Sequence, residues 1–228
     1  LQDMDRAVER LVHAVCNVES IAVFGDYDVD GATSSALLAR FFAAAGCPVR
    51  IYVPDRLREG YGPNTEALMR LKTEGAQVVI TVDCGTTSHE AIGAAAQAGL
   101  DVIVVDHHIA GPRLPPAFAV VNPNRLDEDG MLGALAAVGV AFLLIVAVNR
   151  ALRAAGWYQK RAEPDLKCLL DLVALGTVCD MAPLTGLNRA FVRQGLKVMA
   201  RRGNAGLVAL ADLARVNEIP NAYHLGFL

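Results

Sequence analysis

Short apolar runs alternate with longer amphipathic stretches through the first half of the chain. Five runs are continuous and rich in Val and Ile, which is typical of parallel strands buried on both faces. They lie at 20–25, 49–53, 77–82, 101–105 and 118–121. Helical patterns separate them at 32–45, 64–74 and 88–98. This alternation predicts βαβ units and an α/β fold whose doubly wound, mostly parallel five-stranded sheet is flanked by helices.

The last of these helical patterns opens with Thr87 and Glu90, which have the spacing of a capping box. After residue 130 only helical patterns follow, and they predict an all-helical C-terminal half with helices near 132–155, 164–176, 188–201 and 204–214.

One stretch has the composition of a membrane span. Residues 131–148 carry no charge and approach the roughly 20 residues that a bilayer requires. Ala and Gly fill much of the stretch, however, and no aromatic belt flanks it. A helix buried inside a soluble protein has the same pattern, and we expect that arrangement and no membrane partner.

The amino-acid composition predicts a folded, globular protein that is not basic overall. The 228 residues are 54% hydrophobic and 20% charged, which predicts a large core and excludes a disordered chain. The net charge of −3 excludes a chain that is basic overall. Five scattered Cys without a CxxC pair, and no secretory signal, predict a reducing, cytoplasmic location. Because the chain begins without Met, we expect it to start inside a longer protein.

Acidic residues follow three of the predicted strands. The first strand runs into "GDYDVDG", the third into Asp83, and the fourth into "VDHH". A later apolar run ends at Asp180. Because ligands bind beyond the carboxyl ends of strands in open α/β sheets, these segments are expected to meet at one site. Its candidate members are Asp26, Asp28, Asp30, Asp83, Asp106, His107, His108 and Asp180.

Clustered carboxylates repel one another unless a cation lies among them. Oxygen ligands with imidazole suit Mn²⁺ or Mg²⁺, and there are enough ligands here for two ions. Two such ions commonly hydrolyse phosphate esters. Any one of these Asp could instead be only a helix N-cap or a turn residue. Asp26 is the strongest candidate for a structural role, because Gly25 and Gly31 indicate that the chain turns there.

Four motifs in this order resemble those of the DHH phosphoesterase superfamily: "GDYDVDGATS", "VDCGTTSHEAI", "VDHH" and "ALGTVCDMAPLTGLNR". The likeness runs from about residue 20 to the end, and it includes "VPDRLREGYG", "VNPN" and "AAVGVAF". Within the superfamily it is closest to the exonucleases specific for single-stranded DNA. The resemblance implies a Mn²⁺- or Mg²⁺-dependent hydrolase that removes nucleotides in the 5′ to 3′ direction during recombination and repair.

The resemblance also assigns roles to residues. It implies metal ligation by Asp28, Asp30, Asp83, His107 and Asp180, with Asp83 bridging two ions, and places Asp26, Asp106 and His108 as further candidates. Asp83, His107 and His108 are its catalytic group. Many superfamily members carry a His at the position of Phe24, so one metal is expected to have fewer protein ligands here.

The resemblance divides the chain into an N-terminal helix (1–19), a DHH catalytic domain (20–215) and, from 216 to 228, the start of a connection to a DHHA1 domain that this sequence lacks. Arg56 and Arg189 are the candidate phosphate contacts. Single-stranded DNA is the expected partner, with single-strand-binding protein or a helicase as further candidates. Two alternatives stay open: a DHH phosphoesterase acting on short oligonucleotides or cyclic dinucleotides, and a DHH module that binds DNA or protein without cutting.

Overall fold

The computed structural model of the chain describes residues 1–216 and 218–227. Five strands form one all-parallel sheet in the order β2-β1-β3-β4-β5. The strands are β1 Ile21–Gly25, β2 Arg50–Tyr52, β3 Val78–Val82, β4 Asp101–Val105 and β5 Ala119–Val121. Each lies within one residue of its predicted bounds, so the predicted α/β fold with a parallel sheet is confirmed.

Ten α-helices surround the sheet or follow it among the described residues. They are α1 Met4–Cys16, α2 Val29–Ala44, α3 Arg56–Glu59, α4 Thr65–Thr73, α5 His89–Gln97, α6 Ala137–Ala154, α7 Leu170–Cys179, α8 Gly186–Met199, α9 Ala205–Leu213 and α10 Ala222–Phe227. Two 3₁₀ helices, Trp157–Lys160 and Leu166–Leu169, connect α6 to α7.

The side chains of the four strands other than the edge strand β2 alternate between two hydrophobic cores, as the period of two in a strand requires. In β1, Ile21 and Val23 face a large core that also contains residues of α1, α2, α6, α7 and α8. Ala22 and Phe24 face a smaller core completed by α4 and α5. Both faces of β1, β3, β4 and β5 are therefore covered, which explains why these strands are continuous apolar runs in the sequence, whereas the edge strand β2 is largely exposed.

Several predicted helix bounds were wrong. The helix expected from residue 132 begins at Ala137, and α2 begins at Val29, three residues earlier than predicted. The capping box was also wrong. Ser88 is the N-cap of α5 without a side-chain hydrogen bond, and Thr87 lies one residue outside the helix.

Helix α6 is long and apolar enough to cross a membrane, and 61% of it is buried inside the protein. Helix α1 also packs on the large core, through Ala7, Leu11 and Ala14, each 0% exposed. The proposed division of the chain at residues 19 and 215 stays a prediction. Within the predicted connection, residues 217 and 228 lie outside the described part, and α10 packs on α7.

Candidate metal centre

The strand order creates the site. β1 pairs with β2 on one side and with β3 on the other, so the chain changes direction across the sheet between β1 and β3. Such a switch point leaves a crevice beyond the carboxyl ends of the two strands. Asp26 directly follows β1 and Asp83 directly follows β3. Both carboxylates therefore enter the same crevice.

The turn after β1 is very tight. Asp28 is the N-cap of α2, and its Oδ1 accepts a hydrogen bond from the Gly31 amide at 2.9 Å. A Cβ on Gly31 would lie 2.5 Å from the Asp26 carbonyl oxygen, so only Gly allows α2 to start this close to the strand. Asp28 is therefore a helix N-cap, as one of the sequence interpretations expected. The hydrogen bond from Gly31 uses one of its two carboxylate oxygens.

Asp83 has a left-handed backbone, with φ of 60°. Asp is among the few non-Gly residues that enter this region readily, because its short side chain can bond locally. Tyr61 donates a hydrogen bond from its hydroxyl to the Asp83 carbonyl at 3.1 Å. The Asp83 side chain is 2% exposed, and its Oδ1 lies 3.2 Å from His107 Nε2.

Asp106 acts as the internal anchor of the "DHH" segment. Its Oδ1 accepts from the amides of His107 and His108 and contacts His108 Nδ1 at 2.7 Å. Its Oδ2 accepts from the Thr86 amide at 3.0 Å. Burial opposes ionisation, yet the hydrogen bonds from His108 and Thr86 lower the pKa of Asp106 to about 2. Asp106 therefore holds the loop in place, and both its oxygens are engaged.

Two asparagines to which the sequence analysis assigned no role also hold the segment from Asp106 to His108 in place. Asn122 donates to the His108 carbonyl and to Thr86 Oγ1, each at 2.9 Å. Asn124 donates to the His107 carbonyl. The signal was available in "VNPN", because Asn122 directly follows β5 at the same edge of the sheet as the acids.

Asp30 and Asp180 reach the site from helices. Asp30 lies in the first turn of α2, and Asp180 is the C-cap of α7. Their oxygens lie 3.9 Å from the two ring nitrogens of His107, Asp30 Oδ2 from Nε2 and Asp180 Oδ2 from Nδ1. The side chain of His107 is 18% exposed and sits between them.

The side chains form three overlapping groups, in each of which the potential ligand atoms lie within 4.8 Å of one another. The groups are Asp26, Asp28, Asp83; Asp30, His107, Asp180; and Asp83, His107, His108. Asp83 and His107 each occur in two groups. Asp26 was expected to have a structural role, but it lies among the candidate ligands. Asp106 is in none of these groups.

Burial and crowding shift the pKa values of the residues in this cluster. Burial raises the pKa of Asp30 to about 6 and that of Asp83 to about 8. For His107, burial favours the neutral ring, but the carboxylates of Asp83, Asp180 and Asp30 outweigh it and raise its pKa to about 9. The cluster therefore retains protons near neutral pH, as expected where carboxylates are crowded.

The residues fit a divalent cation. Asp26 Oδ1 is buried and accepts no hydrogen bond, and the buried Asp83 Oδ1 has only the His107 ring beside it, at 3.2 Å. A buried carboxylate oxygen without a donor is costly, and a cation satisfies it. The donor set is carboxylate oxygen with imidazole nitrogen, which suits Mn²⁺ or Mg²⁺. The nearby Cys84 does not compete as a ligand, because burial raises the pKa of its thiol and its sulfur contacts the Val82 carbonyl.

Comparison with known proteins places this geometry in a family. A model described as "DHH family, N-terminal domain" matches residues 20–177. This chain belongs to the DHH family. It is similar to the single-stranded-DNA-specific exonuclease RecJ of Salmonella typhimurium, with 44% identity over 234 residues that cover 100% of the chain and 40% of that protein. The corresponding protein of Bacillus subtilis is 37% identical over 223 residues, covering 96% of the chain and 27% of that protein.

Solved structures agree with the DHH assignment. A crystal structure of exonuclease RecJ bound to manganese matches with a TM-score of 0.86 and 36% identity, covering 100% of this chain and 55% of that one. RecJ of Thermus thermophilus in complex with Mn²⁺ matches with a TM-score of 0.82 and 34% identity, covering 100% of this chain and 31% of that one. This DHH chain therefore spans about half or less of the length of the relatives it matches.

Phe24, Arg56 and Arg189 lie outside the groups of candidate ligands in this DHH chain. Phe24 is 0% exposed and stacks on Tyr52 within the smaller core, so it supplies no ligand. The guanidinium of Arg56 lies 4.9 Å from the centre of the Tyr27 ring, next to the acidic turn. Arg189 is exposed in the first turn of α8, and within the described residues no hydrogen bond or ion pair joins it to the cluster.

Proposed function

We propose that this chain is the catalytic domain of a Mn²⁺- or Mg²⁺-dependent exonuclease that degrades single-stranded DNA. The observation that carries the proposal is the convergence of carboxylates and imidazoles from separate segments at one edge of the sheet, among them the buried Asp26 Oδ1, which accepts no hydrogen bond. Relatives named as single-stranded-DNA-specific exonucleases support the substrate. The 5′ to 3′ direction, the role in recombination and repair, and any protein partner follow from the family resemblance.

The residues divide between two ion sites in this proposal. Asp26, Asp28 and Asp83 would hold one ion, and Asp30, His107 and Asp180 the other. Asp83 Oδ1 lies 3.2 Å from His107 Nε2, so Asp83 is the residue that would serve both sites. Two divalent ions at such a site supply an activated water and neutralise charge that develops on the phosphoryl oxygens.

His108 is placed to act on the phosphate. Its Nδ1 is held by Asp106, which fixes the ring and leaves Nε2 available. The hydrogen bond to Asp106 raises the pKa of His108, which favours the protonated ring, and in that form Nε2 would donate to a phosphate or leaving-group oxygen. Arg56, held over the Tyr27 ring, is the proposed second phosphate contact.

The test is digestion of 5′-labelled single-stranded DNA by the intact protein in Mn²⁺. We expect Asp83→Ala to lower the rate by at least about 100-fold, because it removes a proposed ligand of one ion that also lies 3.2 Å from His107, a proposed ligand of the other. Glu66→Ala, an exposed acidic position on α4, should cut at the wild-type rate. Cleavage that persists in Asp83→Ala or in excess chelator would refute the proposal.

The same assay separates the narrower alternatives. Turnover of dinucleotides without turnover of long single strands would assign the chain to the phosphoesterases of small substrates. Binding of single strands without cleavage, in excess Mn²⁺, would assign it to the non-catalytic modules. The proposal predicts that long single strands are degraded.

A further inference from the structure

Helix α6 begins without a capping side chain of its own. Its N-cap is Ala136, and no side chain of the N-cap residue bonds the first turn. An α-helix leaves its first backbone amides without partners inside the helix. The Gly139 amide bonds back to the Ala136 carbonyl at 2.9 Å, which leaves the amides of Ala137 and Val138.

Asp30 supplies both missing partners from a different helix. Its Oδ2 accepts from the Ala137 amide at 2.6 Å, and its Oδ1 accepts from the Val138 amide at 2.9 Å. The positive end of the helix dipole favours a carboxylate at this position. Asp30 lies in the first turn of α2, so these hydrogen bonds connect the start of α2 to the start of α6.

Helix α7 closes the other side of this junction. A Cβ added to Gly176 would lie 3.1 Å from Asp30 Oδ1 and 2.8 Å from Val138 Cγ1. Only Gly therefore allows α7 to approach this closely, and the carboxylate of Asp30 is 1% exposed between the two helices. The orientation of Asp30 is set by its surroundings on both sides.

The same carboxylate faces the metal centre. Asp30 Oδ2 lies 3.9 Å from His107 Nε2 and belongs to the group with His107 and Asp180. Each carboxylate oxygen can accept more than one partner, so a hydrogen bond to α6 leaves capacity for a cation.

We propose that the N-terminus of α6 is the positioning element of one ion site. The amides of Ala137 and Val138 hold Asp30 in its ligand orientation, so that the docking of α6 and the binding of the divalent ion depend on each other. The inference rests on the proposed metal centre and adds to it a backbone element that contacts no substrate.

The variant Ala137→Pro tests whether the α6 amides position Asp30. Pro is well tolerated at the first position of a helix, and Ala136 already has the extended backbone (φ −69°, ψ 160°) that a residue before Pro requires. Ala137→Pro therefore keeps the helix, removes the donor to Asp30 Oδ2 and places a ring carbon against that oxygen. Ala205→Pro is the matched control, because Ala205 holds the same position in α9 and is exposed.

The readout is Mn²⁺ binding to the intact protein, followed by the electron paramagnetic resonance signal of free Mn²⁺. We expect Ala137→Pro to weaken one class of Mn²⁺ sites by about 10- to 100-fold, the usual effect of losing a partner that orients a ligand. The other class of sites, and both classes in Ala205→Pro, should keep wild-type affinity. Circular dichroism checks that each variant is folded.

A second variant keeps the inference open to refutation if Ala137→Pro does not fold. Ala136→Ser adds a hydroxyl that competes with Asp30 for the first amides of α6, and it should weaken the same sites to a smaller extent. A folded Ala137→Pro with affinity within about twofold of wild type would overturn the inference. If that variant is unfolded, unchanged affinity in Ala136→Ser would overturn it. Absence of Mn²⁺ binding in the wild type would instead overturn the proposed function.

Discussion

Replacing Asp106 by Asn separates the residues that anchor the site from those that bind ions. Asp106 is 1% exposed and accepts four hydrogen bonds, three from backbone amides and one from the His108 ring. Asn keeps the shape but loses the charge and one acceptor oxygen. The pKa of this carboxyl falls from 3.8 to about 2 in the folded protein, and a shift of that size corresponds to about 2 kcal/mol of stability.

The sign of this contribution fixes the pH at which it is measured. A carboxyl whose pKa is lowered by folding stabilises the protein above the unfolded pKa near 3.8, and the contribution is lost as pH falls towards 2. Asp106→Asn should therefore reduce the free energy of unfolding by about 2 kcal/mol at both pH 7 and pH 5.

Urea unfolding in chelator measures the effect without bound ions. Asp127→Asn, which removes an exposed partner of Arg125, is the control and should change stability much less. In Mn²⁺, Asp106→Asn should retain ion binding but lose exonuclease activity by about 10- to 100-fold, because the neutral amide binds the His108 ring less strongly and its NH2 group faces the Thr86 amide. Wild-type stability in the Asp106 variant, or loss of its Mn²⁺ binding with full stability, would refute the anchoring role.

Three further predictions address other parts of the site. Asn124→Ala should lower the proposed exonuclease activity by about 10- to 100-fold at unchanged Mn²⁺ stoichiometry, since it frees the His107 carbonyl; normal activity would contradict this. Gly31→Ala should destabilise the protein by about 1–3 kcal/mol in urea, whereas Gly203→Ala, where a Cβ meets nothing within 4 Å, should not. Without metal, the melting temperature should fall as pH rises from about 5 to 9, because the raised pKa values of Asp83 and His107 mean that the folded state binds more protons. Saturating Mn²⁺ should reverse that fall, and a melting temperature that rises with pH in chelator would contradict the assignment.

The sequence predicted the sheet well because four of its five strands are buried on both faces, and only the edge strand β2 is exposed. Such strands appear as uninterrupted Val- and Ile-rich runs, and the acid at the end of β1, β3 and β4 marks the edge at which a ligand can bind. The helix starts were less predictable. The region before Ala137 is apolar and lacks a capping residue of its own, because its cap comes from Asp30, 107 residues earlier in the chain.

The individual roles of the acids could not be predicted from spacing. Asp26, Asp28 and Asp30 alternate along five residues, yet each is used differently once the turn and α2 form. Asp28 caps its own helix, Asp30 caps α6, and Asp26 retains a buried oxygen without a donor. These differences depend on contacts made by α6, α7 and β3, which no local pattern contains. The anchoring role of Asn122 depends likewise on a loop that is distant in sequence.

The central claim is that one edge of this sheet binds two divalent ions, one in the group that contains Asp83 and one in the group that contains His107 and Asp180. Anomalous diffraction at the manganese edge, from crystals of the intact protein grown with Mn²⁺, tests it most directly. We predict two peaks about 3.5–4 Å apart. One should lie among Asp26, Asp28 and Asp83, and the other among Asp30, His107 and Asp180. A single peak, or peaks away from these side chains, would contradict it.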